Sequence, residues 1–270
     1  MVQDASIYLA GKKLYGDDFT QEQIEEWFKH EAEGYADLWA SDYEKYNYAY
    51  HKLNAYYGFR HLANHSMRTA LGIGSAYGDE LFPIAKRLEK ITILDPSDTF
   101  ADVREIAGTP SQYVKPNVQG DMPFEDAEFD LITSFGVLHH IPNVSYVVRE
   151  CFRCLRPGGI FLLREPMVSM GDWTKPRPGL TKHERGIPLK ILRQIVQEAG
   201  FEIQQEALCM FSATSAIASK LRIDPYNSRV ATLADSALSR VFAWNDRYHR
   251  VKLREKFGPT SVYYVLRKPG

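Results

Sequence analysis

The run Gly72-Ile73-Gly74-Ser75-Ala76-Tyr77-Gly78 is followed, 21 residues after Gly74, by Asp95. Glycines let a backbone take positive φ and approach a ligand closely. A carboxylate at that distance is placed to accept the ribose hydroxyls of an adenosine-containing cofactor. The pairing carries more information than the glycine turn alone. From Gly72 the spacing is G-x-G-x-x-x-G, one residue longer than the dinucleotide fingerprint, and bulky Tyr77 stands where that cradle favours small residues. An NAD(P)-dependent oxidoreductase is therefore the alternative rather than the leading reading. A second group is His139, His140 and Glu165. An imidazole or carboxylate can take the proton of an acceptor hydroxyl, so these side chains are candidates for a base, with Glu165 facing the acceptor or capping a turn. A third group lies between Gly171 and Gly186, where Asp172, Trp173, Lys175, Arg177, Lys182, His183, Glu184 and Arg185 crowd together. Such a mixture suits a polar or anionic ligand. Here His183 is expected to be catalytic, and Arg177 and Arg185, with His140, to bind substrate.

These residues need a scaffold that brings strand ends together. Thr69–Gly74, Ile91–Leu94, Phe129–Thr133, Ile160–Leu163, the segment starting at Phe201, and Val262–Leu266 read as short apolar strands. Leu81, Ile84, Ala85 and Leu88 recur at helical spacing, as do Val144, Val147, Val148, Cys151 and Leu155, and later Leu189, Leu192, Ile195, Val196 and Ala199. Alternating strands and helices imply βαβ units and a mostly parallel sheet. In such sheets ligands bind beyond the carboxyl ends of the strands, which is where the three groups fall. Before residue 65, Thr20 with Gln23 and Ser41 with Glu44 look like capping boxes. Ile24, Trp27 and Phe28 follow on one helical face, and seven tyrosines (Tyr35, Tyr43, Tyr46, Tyr48, Tyr50, Tyr56 and Tyr57) read as helix packing or a lid. A polar, helix-like stretch spans about 224–256.

Leu71 to Gly78, Asp95, Gly120-Asp121-Met122-Pro123-Phe124-Glu125-Asp126 with Phe129-Asp130-Leu131-Ile132, Ser134 to Ile141, and Leu155-Arg156-Pro157-Gly158-Gly159 occur in one order. In that order the chain resembles the class I S-adenosylmethionine-dependent methyltransferases, over roughly residues 67–205 plus the last strand. The resemblance implies a Rossmann-like seven-stranded mostly parallel sheet with helices on both faces, plus an N-terminal helical extension over 1–65. The methyltransferase domain would span 66–270 with a helical insert at 224–256. It implies S-adenosyl-L-methionine as cofactor, with Gly72, Gly74, Ser75 and Gly78 under the methionine part and Asp95 on the ribose. Pro96 and Ser97 would lie beside the adenosine, Asp121 or Met122 at the adenine, and Phe135 near the sulfonium. In the family a histidine at the position of His140 is often structural, so the resemblance implies that His139 is the better base candidate. Two departures stand in the first motif: Gly72 replaces the family's acid and Ala76 its middle glycine.

The expected activity is methylation of oxygen on a small polar molecule or sugar. A methyltransferase-like binding protein without turnover is the other reading. Amino-methylating nucleic-acid enzymes of the family carry an Asn/Asp-Pro-Pro-Tyr/Phe motif where this chain reads Ser134-Phe135-Gly136-Val137, and no cysteine follows a proline as cytosine-C5 chemistry needs. The charge balance, 33 basic against 34 acidic side chains, gives no basic excess for nucleic acid. No apolar run reaches the roughly 18 residues of a membrane helix, and Met1–Asp4 lacks the start of a signal peptide. The expectation is a cytoplasmic protein, compatible with a homodimer, with a small-molecule or carbohydrate acceptor and no metal. Cys151 and Cys154 form a single C-x-x-C that reads as core packing.

Overall fold

The computed structural model describes residues 5–38, 47–177 and 179–270, with the backbone alone at 32–38 and 219. Eight strands form one sheet: β1 (Thr69–Ile73), β2 (Lys90–Leu94), β3 (Glu105–Ile106), β4 (Thr109–Val114), β5 (Phe129–Phe135), β6 (Leu155–Pro166), β7 (Glu202–Phe211) and β8 (Pro259–Arg267). Their order is β3-β4-β2-β1-β5-β6-β8-β7. The pairs β1–β2, β1–β5, β2–β4 and β5–β6 are parallel. The last two strands invert the sense, since β8 runs antiparallel to both β6 and β7. The order reverses at β1, between β2 and β5, and the strand ends there open the crevice in which open α/β sheets bind ligands.

Alternation along each strand divides the core. Leu71, Ile73, Phe161, Leu163, Val262 and Tyr264 face α4 (Val144–Cys154) and α5 (Leu189–Glu198). Ala70, Leu162, Tyr263 and Val265 face the other way, onto α3 (His51–Tyr57) and the turn Phe59–Leu62. Both expected helices, α4 and α5, present the apolar stripe read from their spacing, with Val144, Val147, Val148 and Cys151, and Leu189, Leu192, Ile195 and Val196, buried. Cys151, Cys154 and Cys209 are buried free thiols.

Helices α1 (Ala5–Leu9) and α2 (Gln21–Leu38) precede this core. The Thr20–Gln23 capping box forms: Thr20 N–H donates to Gln23 Oε1 at 2.9 Å and Gln23 N–H reaches Thr20 Oγ1 at 3.5 Å. The Ser41–Glu44 box and the side chains of Tyr35, Tyr43 and Tyr46 lie outside the described residues.

Three differences from the sequence reading stand out. No α-helix joins β1 to β2: the Leu81–Leu88 periodicity is realised as two 3-10 turns, Asp79–Leu81 and Ala85–Arg87. Pro83 interrupts the segment, and proline supplies no N–H to a helical ladder. The hairpin-like β3–β4 adds an eighth strand at the sheet edge. The helical region before β8 starts at 212, with α6 (Ser212–Leu221), α7 (Arg229–Val241) and α8 (Leu253–Lys256). Asp235 of α7, fully buried, accepts the Met210 and Phe211 N–H groups at 2.9 and 2.7 Å, tying α7 to the end of β7.

Candidate active site

The glycine turn leaves β1 at the switch point. Gly74 has φ of 60° and Gly78 of 77°, a region that side chains disfavour. A Cβ on Gly74 would lie 2.6 Å from Val137 Cγ1, and one on Gly78 2.3 Å from Ile106 Cδ1. Both glycines are therefore required by conformation and by space. Ala76, between them, also takes a positive φ of 49°. The position where the family has glycine keeps a glycine-like backbone while carrying a methyl group.

Asp95 ends β2 and is buried beside this turn. Its Oδ1 accepts the Ser97 N–H at 2.9 Å and its Oδ2 the Ala76 N–H at 3.2 Å. Burial pushes its pKa up to about 6 against the pull of those two N–H groups. Ser97 Oγ accepts the Thr99 N–H and starts the turn Asp98–Phe100, while Pro96 is exposed. Tyr113 O–H donates to the carbonyls of Asp95 and Ser97. Tyr77 and Phe100 meet edge to face at 4.8 Å.

Gly72 has no acid, yet an acid is present. Its face of the sheet carries Glu80, fully enclosed, whose Oε1 accepts Ser75 Oγ–H and Thr133 Oγ–H, each at 2.8 Å. Thr133 is the cross-strand partner of Gly72, and a Cβ on Gly72 would lie 2.3 Å from Ser75 Oγ. The carboxylate thus comes from eight residues further along the chain and reaches Gly72's surroundings through Ser75 and Thr133. Burial raises the Glu80 pKa, opposed by its two hydroxyl donors and by the Arg164 charge. Arg164 is itself buried, donating to Asn54 Oδ1 at 3.2 Å and Phe135 O at 3.4 Å, with its guanidinium 4.1 Å from the Tyr50 ring centroid. The buried Ser134 Oγ at the end of β5 has no partner. A buried acid, a buried cation, an orphaned hydroxyl and a turn with no room for side chains fit the ribose and amino-acid ends of the expected cofactor.

The adenine side is tied differently from the expectation. Asp121 accepts Tyr146 O–H and Asn117 Nδ2–H, which hold its carboxyl below the usual range. Met122 is buried, and its N–H donates to Glu150 Oε2 of α4 at 3.0 Å. Phe135 is buried at the end of β5, its ring against Tyr263 and Phe59.

His139 follows β5 in the turn Leu138–His140. Glu165, at the end of β6, is wholly buried and accepts the N–H groups of Val137 (2.9 Å), Leu138 (2.8 Å) and His139 (3.3 Å), and contacts His139 Nδ1 at 2.9 Å. Glu165 therefore cannot face an acceptor as expected: both oxygens are engaged, and it acts by positioning His139. The other ring nitrogen, Nε2, stands 3.6 Å from Glu184 Oε1. Burial disfavours the imidazolium, but Glu165 and Glu184 outweigh it, so the His139 pKa is raised. His140 Nδ1 contacts Glu31 Oε2 of α2 at 3.0 Å. Burial and the neighbouring His139 lower its pKa. Glu31 also accepts Thr181 Oγ–H at 2.7 Å and the His183 N–H at 3.2 Å.

Arg185 and Arg177, expected to bind substrate, and His183, expected to be catalytic, are engaged with the protein itself. Arg185 is fully buried and spends its guanidinium on carbonyls of Tyr15, Leu138, His139, Ile141 and Pro142, which locks the turn after β5. Arg177 likewise holds the carbonyls of Met170, Thr181 and Lys182. His183 stacks on Trp27 at 4.5 Å and contacts His30 Nδ1 at 3.0 Å, and burial pushes its pKa down to about 4. It belongs to the packing of α2 onto the 181–187 loop. Sequence reasoning missed Glu80, Glu31 and Arg164 as members of the site, and gave Glu184 no role. Only the crowding of charge at 171–186 hinted at the last.

Residues 71–163 match the family model described as a methyltransferase domain. A Mycolicibacterium smegmatis protein classed as an S-adenosylmethionine-dependent methyltransferase is 32% identical over 134 residues, covering 49% of this chain and 51% of that one. The chain spans about half the length, or less, of the curated relatives it matches. Among solved structures, phosphoethanolamine N-methyltransferase 2 of Haemonchus contortus, in complex with phosphomonomethylethanolamine and S-adenosylhomocysteine, superposes with a TM-score of 0.55 at 16% identity, covering 81% of this chain and 53% of that one. The [4+2]-cyclase SpnF superposes with a TM-score of 0.52 at 18% identity, covering 80% of each chain.

Proposed function

Because the chain carries a domain of the class I S-adenosylmethionine-dependent methyltransferase family, we propose that it transfers the methyl group of S-adenosyl-L-methionine to an oxygen of a small polar molecule or sugar. The observation that carries the cofactor reading is Asp95: a buried carboxylate at the end of β2, against a turn held open by Gly74 and Gly78 at the switch point. Asp95 accepts from the ribose hydroxyls and Glu80 from the methionine ammonium, and Arg164 donates to the methionine carboxylate. The last two residues take over the contact that the family draws from an acid at position 72. The cofactor supplies a methyl group activated by its sulfonium.

The acceptor side is read from His139. Glu165 has three backbone N–H groups donating to it, so it receives the Nδ1–H of His139 and fixes the ring's tautomer. Nε2 is then the nitrogen presented to an acceptor hydroxyl, a general-base geometry that needs its pKa near neutrality. In the transfer the acceptor oxygen gives its proton to Nε2, its lone pair forms the carbon–oxygen bond, and the carbon–sulfur bond breaks with its electron pair staying on sulfur. Alignment of oxygen, methyl carbon and sulfur supplies most of the acceleration.

The second reading is a protein that binds the cofactor without transferring its methyl group; that a [4+2]-cyclase shares this fold shows that the fold alone does not fix the reaction. Calorimetric titration with S-adenosylhomocysteine, using Asp95→Ala as control, tests the cofactor. Incubation with radiolabelled S-adenosylmethionine and panels of hydroxyl-bearing sugars and small acids then tests transfer. Binding lost in the variant, with label moving to an acceptor, is the expected result. Binding without transfer to any acceptor favours the second reading, and no binding removes both.

A further inference from the structure

The cluster of His139, His140 and Glu184 has a property that proton transfer alone does not use. One ligand atom from each of the three lies within 4.8 Å of the other two. Each imidazole is oriented from behind by a carboxylate. Glu165 takes the Nδ1–H of His139, and Glu31 takes that of His140, because the other partners of both carboxylates are donors. A neutral His139 so held has Nε2 as its remaining ligand atom. His139 Nε2 stands 3.6 Å from a carboxylate oxygen, Glu184 Oε1. A proton on Nε2 bridges this pair in the imidazolium form, and a metal ion between the two atoms is the alternative that the third ligand atom of His140 makes available. Glu184 is in turn fixed by the Thr181 N–H on its other oxygen at 3.1 Å. The side chains are nearly but not fully enclosed, at 9% exposure for His139, 14% for His140 and 10% for Glu184.

We propose that His139, His140 and Glu184 form a binding site for a divalent first-row transition metal of the zinc class. Two imidazoles and one carboxylate are a common ligand set for catalytic zinc and non-haem iron, with further positions open. Bonds of 2.0–2.2 Å at a tetrahedral centre put neighbouring ligand atoms about 3.4 Å apart, close to the 3.6 Å observed. The carboxylate behind each histidine is the outer-shell arrangement that fixes ring orientation and raises ligand basicity. Magnesium and calcium, which favour all-oxygen shells, fit this set poorly. On the methyl-transfer reading, on which this role alone rests, the ion binds the acceptor oxygen and acidifies its hydroxyl, and His139 serves as ligand instead of base. Metal binding itself does not depend on that reading.

The test is calorimetric titration of chelator-stripped, dialysed protein with Zn²⁺, followed by Co²⁺ titration read by visible absorption. One equivalent should bind saturably. His139→Ala and Glu184→Ala should each weaken affinity by about 100-fold or more, and Glu31→Gln by about 10–100-fold, the usual outer-shell effect. Exposed His61→Ala should change nothing. Circular dichroism checks each fold; if His139→Ala does not fold, Glu184→Gln and Glu31→Gln decide. Absence of saturable binding overturns the proposal. So does binding that persists in the Glu184 and Glu31 variants, or that His183→Ala abolishes while they do not. S-adenosylhomocysteine titration of the same sample reports the cofactor site separately, so the metal proposal and the methyltransferase reading fail independently.

Discussion

Glu165 grips His139 at two points, through the backbone N–H at 3.3 Å and through ring Nδ1 at 2.9 Å. The end of β6 thereby sets both the path of the turn after β5 and the direction of the imidazole it carries. A residue that reads from its position as a reactive acid is here the fixture of a neighbour. Holding is a common task in this region: Arg185 and Arg177 hold loops through backbone carbonyls, as Glu165 holds the turn after β5.

Ala76 should be replaceable by glycine with a gain. An L-residue in the left-handed region is strained by about 1–2 kcal/mol, of which roughly 0.5–1 kcal/mol returns as the greater unfolded-state freedom of glycine. Ala76→Gly is expected to raise the melting temperature by about 1–4 °C in a chain of this size. Calorimetric melting measures it, and a drop would place the strain elsewhere.

Cofactor affinity should fall with acidity in a defined window. Hydroxyl groups donate to Asp95, so the ligand prefers the ionised carboxylate, and its pKa of about 6 in the fold sets the midpoint. Affinity for S-adenosylhomocysteine is expected to be level above pH 7 and to lose about tenfold per pH unit below 6. Asp95→Asn should flatten the profile. The stability of the ligand-free protein moves the other way: between its ordinary value of 3.8 and about 6 the fold binds more protons at Asp95 than the unfolded chain. The penalty of burying this charge therefore lifts as pH falls through 6.

Glu80 and Arg164 should separate recognition of the cofactor's amino-acid end from that of its nucleoside. Glu80→Gln and Arg164→Met are each expected to weaken S-adenosylhomocysteine about tenfold or more, consistent with losing one charge-assisted contact. Affinity for methylthioadenosine, which lacks the amino-acid part, should change little. Equal losses for both ligands would assign the two residues to the fold alone.

Arg185→Met should unfold the molecule at lower temperature. The guanidinium, fully buried, satisfies carbonyls from five residues, and stranded buried acceptors cost about 1–3 kcal/mol each before relaxation. A net loss of about 3 kcal/mol corresponds to a melting shift of roughly 6–12 °C. An unchanged melting point would show that the turn after β5 holds without it.

The central strands were legible because a strand buried on both faces is a short apolar run between turn residues, as in Ile91–Leu94 and Ile160–Leu163. Strand β4, Thr-Pro-Ser-Gln-Tyr-Val, was not, because it lies near the sheet edge, where most of its side chains are half-buried and no apolar run is required. The 81–88 periodicity was real but ambiguous: the same apolar residues line the core from two tight turns once Pro83 denies the segment a helix. The placement of Asp95 beside the glycine turn was legible from the spacing of the two together. Glu31 was not, since it reaches His140 across 109 residues of chain from a helix with no local mark of its role. Glu80 was hidden for a different reason: its partners, Ser75 and Thr133, are single hydroxyls on separate elements, one of them 53 residues away, and such a pairing leaves no motif.

The crossover from β1 to β2 is two 3-10 turns in place of a helix, and only a short turn follows β2. The crevice that would hold the adenosyl ligand is thus bordered on one side by backbone with few ladder hydrogen bonds. Amide protons there are expected to exchange with solvent faster than those of β1 or β5, through local openings far cheaper than global unfolding. A bound ligand bridging Asp95 and the Gly74–Gly78 turn would close those openings. Part of the binding energy would then be spent on slowing this border, and the ligand's residence time would report how well the turns are stitched rather than how many contacts it makes.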